Sequence, residues 1–183
     1  MIANKTYNNV INTLKNIGDM HGQITTTTTG DIYDIDLEKN TLFPLMHINP
    51  VSVATGESQL NYIFQIFVMD LVSQEADWTQ SNFQSAAFLN NEQEVLSSTL
   101  QTSVDLISIF RNSIEQSEQG VDDIDYPTYF TEGEFTIEPF TERFDNQLTG
   151  WAFTLEVQVR NNFQTCKIPL ASAMPMQPKG QGE

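Results

Sequence analysis

The sequence predicts an α+β fold, a mainly antiparallel sheet of about four or five strands packed by one long helix and a short N-terminal helix. Three observations carry this. Residues 43–72 read as two extended runs about one turn signal, residues 91–114 repeat apolar side chains at helical spacing, and residues 151–160 alternate strictly. Strands clustered ahead of a single long helix separate this pattern from the alternating units of a doubly wound fold.

From Asn4 to His21, Val10, Ile11, Leu14 and Ile17 recur at spacings of three and four, and Gly18 and Gly22 serve as stop signals, so a short amphipathic helix is expected. The threonines Thr25 to Thr29, β-branched and closed by Gly30, lead into Asp31–Leu37. There Tyr33, Ile35 and Leu37 alternate with Asp34 and Asp36, a strand with one wet face. Phe43 to Ala54 is a second extended run, broken by Pro50 and closed by Thr55-Gly-Glu-Ser58, where Gly56 marks a hairpin. Leu60 to Val72 is almost continuously apolar. Tyr62, Phe64 and Ile66 share one parity, and Ile63, Phe67, Met69 and Leu71 fall partly on the other, which fits a central strand covered on both faces.

Between Ser73 and Asn91 the chain turns polar, with Trp78, Phe83 and Phe88 scattered at no clear period, a long excursion. Asn91 is placed to cap a helix whose first turn holds Glu92 and Glu94 and whose stripe is Leu96, Leu100, Val104, Ile107 and Ile114. Its other faces carry Ser, Thr, Gln and Asp, as expected of a helix lying on a sheet. Residues 115–145 hold ten acids (Glu115, Glu118, Asp122, Asp123, Asp125, Glu132, Glu134, Glu138, Glu142, Asp145) against Arg143 alone. Phe130, Phe135, Ile137 and Phe140 in the same stretch make it part strand and part loop. Leu148 and Gly150 open the last long strand, with Trp151, Phe153, Leu155, Val157 and Val159 inside and Ala152, Thr154, Glu156, Gln158 and Arg160 outside. Residues 1–170 thus form a single α+β domain and 171–183, small and rich in Pro and Gly, a flexible C-terminal tail.

Composition narrows the function. The 183 residues are 39% hydrophobic and 10% aromatic, enough for a real core. Against 24 acids stand 8 bases, a formal charge of −16 that opposes binding to nucleic-acid backbones or anionic lipid. No apolar run approaches the roughly 20 residues that cross a bilayer, and MIANKTYNNVINTL lacks the pattern of a signal peptide, so a protein that is neither secreted nor bound to a membrane is expected. One cysteine, Cys166, allows no internal disulfide, and two histidines offer little for a zinc site.

Candidate chemistry is sparse. Asp34 and Asp36, with Asp31 near, could hold a hard cation or act as an acid/base pair, but a half-buried strand shows a polar face in any case and no EF-hand spacing follows. His47, in Leu45-Met-His-Ile48, needs a partner from elsewhere to be a ligand or base, and a hydrogen-bonded structural histidine is the simpler reading. His21 is placed to cap the first helix's C-terminal dipole. Cys166 has Lys167 beside it but no histidine in sequence to act as base. Gly56-Glu-Ser58 lacks the second glycine of a nucleophile elbow, and no phosphate-cradling loop occurs. No catalytic, cofactor-binding or metal-binding residues are therefore assigned, and neither an enzyme nor a cofactor is expected. What remains is surface: the segments 73–91 and 115–145 are long for a compact domain and are expected to meet neighbouring subunits, with Trp78, Phe83 and Phe88 as contact aromatics.

Leu42-Phe-Pro-Leu-Met-His-Ile-Asn-Pro50, Leu60-Asn-Tyr-Ile-Phe-Gln-Ile-Phe-Val-Met-Asp70, Asn91-Glu-Gln-Glu-Val-Leu-Ser-Ser-Thr-Leu100, Leu148-Thr-Gly-Trp-Ala-Phe-Thr-Leu155 and Cys166-Lys-Ile-Pro169 resemble virion structural proteins of tailed bacteriophages. The order of elements over residues 4–170 is similar to that of tail terminator or tail completion proteins at the neck. The resemblance implies a small α+β subunit without an active site. Such a subunit forms a homo-oligomeric ring, usually a hexamer and in some cases a dodecamer, which ends the tail tube and joins it to the head. Its implied partners are tube and head-tail connector proteins. The resemblance also implies that genome DNA passes through without specific binding and that the protein is found in the virion tail or neck after assembly in the host cytoplasm. A closed ring needs two different surfaces on each subunit. Glu115, Glu118, Asp122, Asp123, Asp125, Glu132 and Glu134 are then expected to line the lumen or a partner face. Two alternatives stay open: a portal-proximal head-tail connector ring and, from a different class, an acidic DNA-mimic or adaptor. A metal-dependent hydrolase built on Asp34 and Asp36 is a third and predicts divalent-ion binding.

Overall fold

The computed structural model describes residues 7–32, 42–56, 59–72, 91–118, 129–131, 133–140 and 148–160, with backbone alone at 113–118 and 160. The elements are α1 (Tyr7–Met20), β1 (Thr26–Thr29), β2 (Leu45–Thr55), β3 (Gln59–Leu71), α2 (Glu92–Glu118), β4 (Tyr129–Phe130), β5 (Ile137–Phe140) and β6 (Leu148–Arg160). This is the expected α+β fold. Among the described residues six strands form one sheet in the order β1-β2-β3-β6-β4, and β5 also pairs with β6. The expected four or five strands fell short because β4 and β5 have two and four residues, too few to show a period.

β2, β3 and β6 form an antiparallel centre, with Leu45 opposite Met69 and Phe64 opposite Leu155. β1 joins the β2 edge in parallel, Thr26 opposite Leu45 to Thr29 opposite Ile48, a pairing that needs the long connection 30–44. The alternating segment Tyr33–Leu37 lies outside the described residues. β6 is an inner strand, with β3 on one side and both β4 and β5 on the other.

The helices lie on one face of the sheet. Val10, Ile11, Leu14 and Ile17 of α1 and Leu106 and Phe110 of α2 bury against Met46, Ile48, Phe64, Ile66, Val68, Phe153, Leu155 and Val157. Burying so much aliphatic and aromatic surface, about 25 cal/mol per Å², is the main force holding the layers together. On the opposite face Leu45, Phe67, Met69, Phe140 and Leu148 form a smaller cluster. β3 is therefore covered on both faces only over Ile66–Met69, while Asn61, Ile63 and Gln65 remain half-buried. β6 follows its expected alternation, with Phe153, Leu155, Val157 and Val159 buried.

Three expectations are corrected. Gly18 does not stop α1 but lies buried within it, where an added Cβ would stand 2.6 Å from Thr27 Oγ1 and 2.7 Å from Met46 Sδ. Helix and sheet come close together here, with no room for a side chain. Pro50 does not break β2, because the register shifts between Pro50 and Ser52, a bulge at Val51, and the strand runs on to Thr55. A proline is tolerated there because β1 has already ended and no neighbour needs its missing N–H.

The third correction concerns α2. Its buried face is Val95, Thr99, Thr102, Ser103, Leu106 and Phe110, whereas Leu96, Leu100 and Ile107 are half-buried and Val104 is 42% exposed. The hydroxyls are satisfied inside the helix: Thr99 Oγ1 donates to Val95 O (2.6 Å), Thr102 Oγ1 to Ser98 O (3.0 Å) and Ser103 Oγ to Thr99 O (2.8 Å). Back-bonded and small, these side chains let the helix settle on the sheet, so its inward face is rotated by one residue from the expected stripe.

Candidate assembly surface

Of the residues expected at subunit contacts, Trp78, Phe83 and Phe88 lie outside the described residues, as do Asp122, Asp123, Asp125 and Glu132. Glu115 and Glu118 are on the last turns of α2 and only their backbone is described. Glu134 is exposed ahead of β5. There it meets two acids from other elements. Glu134, Glu138 and Glu156, with Gln65, Thr136, Ala152 and Thr154, line an open groove of about 350 Å³ between the 134–136 turn and β6.

The turn is pinned from the helix side. Arg111 Nη2 donates to Gly133 O at 2.6 Å, and the guanidinium lies 4.8 Å from the centre of the Phe135 ring, which in turn meets Phe153 edge-on at 6.4 Å. Gly133 supplies a φ of +99°, the left-handed region that other residues enter only with strain. Glu156 Oε1 accepts from Asn61 Nδ2 at 2.9 Å. The groove can attract a cationic side chain. Among the described residues no group of three or more His, Cys, Asp or Glu is placed to hold a metal ion, and no helix is long and apolar enough to cross a membrane.

The histidines have structural roles. His47 is buried, with Nε2 3.1 Å from Gly30 O and Nδ1 2.8 Å from Thr28 Oγ1. A carbonyl can only accept, so Nε2 donates to it and Nδ1 accepts from the Thr28 hydroxyl in the neutral ring. The imidazole thus ties β1 to β2. His21 does not cap α1 through its ring as expected. Its backbone N–H closes on Gly18 O (3.1 Å), while Nδ1 accepts from Gln23 N–H (3.3 Å) and Nε2 lies 3.6 Å from Asp105 of α2. Asp34, Asp36, Ser58 and Cys166 lie outside the described residues. Burial pushes the Tyr62 phenol up, and burial also pushes up Tyr129, helped by Tyr62 and opposed by the Thr13 hydroxyl.

The sequence reading missed the exposed half of β2. Leu45–Ile48 is buried on both faces, but every residue from Pro50 to Gly56 is exposed, with Val51 at 57% and Val53 at 52%. The β2–β3 arm closes where Gly56 N–H donates to Gln59 O at 2.8 Å. On the helix side of the arm Tyr7, 41% exposed, lies 6.4 Å from the rings of both Tyr62 and Phe64. The run 42–56 has no Asp, Glu, Lys or Arg, and neither has 21–30. That lack of charge was visible in the sequence, which reads Phe43–Ala54 as an extended run and does not say which part of it is exposed. No protein-family model matches the chain, and no curated protein or solved structure shows a match to it.

Proposed function

We propose that the chain is a structural subunit of a phage neck or tail, assembling into a ring that terminates the tail tube, joins it to the head and leaves a channel for DNA. One observation carries this reading: in a molecule of charge −16, the described residues 21–30 and 42–56 that build the β1–β2 side of the sheet include no Asp, Glu, Lys or Arg. Like charge holds copies apart at the acid-rich surfaces of α2, the β5 turn and β6 and leaves this side free of that repulsion. Such segregation serves an assembly protein better than an acidic DNA mimic, which needs carboxylates over most of its surface. Acidic walls along the channel would repel DNA and let it slide.

Light scattering of the purified protein at moderate salt, with negative-stain images of the same sample, tests the proposal. Closed rings of about six or twelve copies with an open centre are expected. A stable monomer that binds a DNA-processing enzyme tightly would overturn it in favour of the mimic.

A further inference from the structure

We infer that the outer edge of β2 from Asn49 to Thr55 is the strand edge to which a second copy of this chain adds its own backbone. The inference rests on the self-assembling reading above and names one of the two surfaces that a ring requires.

The edge is long and open. β1 covers only Leu45–Ile48, and from Asn49 onward β2 has no strand partner on that side among the described residues. At about 3.3 Å per residue the free edge extends for roughly 23 Å. Natural sheets guard such edges with charge, proline, bulges or brevity, because unpaired N–H and C=O groups recruit another strand. The far side of this sheet is guarded: β4 has two residues, and β5 has four, among them Glu138 and Pro139. The β2 edge has Pro50 and the Val51 bulge at its start and nothing after them.

The bulge also directs the side chains. It places Val53 directly across from Tyr62, after Pro50 across from Phe64, so both share the helix-side face beside the half-exposed Tyr7. A strand added here would lay its side chains beside Val53 and shield apolar surface that neither helix covers.

Charge selects the occupant. The described acids are Asp19 on α1, Asp31 just after β1, Asp70 on β3, Glu92, Glu94, Asp105, Glu115 and Glu118 on α2, Glu134 and Glu138 about β5, and Glu156 on β6, so β2 has none. A basic partner is drawn to those surfaces. A second acidic copy can lay a strand here without facing a carboxylate on the receiving edge, because the 42–56 run has none.

The test compares wild type with Val51→Lys/Val53→Lys, and with Ser108→Lys on an exposed turn of α2 as a control. Both valines are exposed, so circular dichroism and Tm should match wild type. Added lysines reduce the net negative charge, so lost assembly cannot be ascribed to greater overall repulsion. The double variant is expected to fall to the mass of one subunit by light scattering, with the control unchanged. In assembled wild type, hydrogen exchange of those Val51–Thr55 amides that point away from β3 should slow by about tenfold or more relative to dilute protein. A double variant that keeps the wild-type mass, with these amides unprotected, would overturn the inference and leave the ring to another surface. A wild type that stays monomeric at all concentrations, with fast exchange here, would overturn both readings.

Discussion

Trp151 of β6 donates its indole N–H to the carbonyl of Leu96, one turn into α2, at 2.7 Å. This bond fixes the helix on the sheet at a carbonyl that also belongs to the helix's own ladder, and it is possible because the inward side chains near it, Val95 and Thr99, are small. Trp151→Phe keeps an aromatic ring and removes the donor. It should cost about 1–2 kcal/mol in urea unfolding followed by circular dichroism.

The two possible stripes of α2 give opposite expectations for adjacent residues. Val104→Ser, at a position that sequence periodicity places inward but the structure leaves 42% exposed, should change stability by less than about 0.5 kcal/mol. Ser103→Leu, at a fully buried position against the sheet, should cost about 1–3 kcal/mol by overpacking. Denaturant midpoints of the two variants decide between the stripes.

The threonine run divides in the same way. Thr28→Val removes the hydroxyl bonded to His47 Nδ1 and should destabilise by about 1–2 kcal/mol. Thr27 Oγ1 is buried with no hydrogen-bond partner among the described residues, so Thr27→Val should be neutral or stabilising by up to about 1 kcal/mol. Thermal unfolding of the two single variants side by side checks the sign.

Gly150 lies on β6 opposite Met69 of β3. A Cβ there would overlap the Val68 carbonyl oxygen and stand 2.8 Å from Met69 Cα, and backbone cannot turn aside as a flexible side chain can. Gly150→Ala should cost about 3 kcal/mol or more. Gly133→Ala meets open space and bears only the strain of its φ of +99°, about 1–2 kcal/mol. Chemical denaturation of both variants should rank them in that order.

Asp70 supplies a pH dependence. Burial raises its carboxyl above the ordinary 3.8, against the lowering effect of the Leu71 N–H bonded to it at 2.7 Å. The folded protein thus holds this proton more tightly than the unfolded chain, and stability from this group falls as pH rises from 3.8 through the raised folded value. Asp70→Asn, whose amide oxygen can still accept from Leu71, should raise Tm at pH 7. The difference should vanish at pH values below 3.8, which melting curves across the acid range would show.

Much of the fold is legible in local pattern. The spacing of Val10, Leu14 and Ile17, the alternation from Trp151 to Val159 and the turn at Gly56 each determine an element, because side-chain period and turn chemistry act over a few residues. The α+β class follows from their order. Tertiary structure decided what depends on distant neighbours. Gly18 reads as a helix stop until β1 and Met46 come against it, and Pro50 reads as a strand break until β1 is seen to end at Thr29, opposite Ile48. The inward face of α2 depends on hydroxyls that look polar in sequence and become fit for burial once bonded to their own helix. The candidate assembly edge belongs to the same class. That residues 42–56 are uncharged is a property of the sequence, but that half of them form an open edge depends on which strands lie alongside, and pairing between distant segments has no local signature.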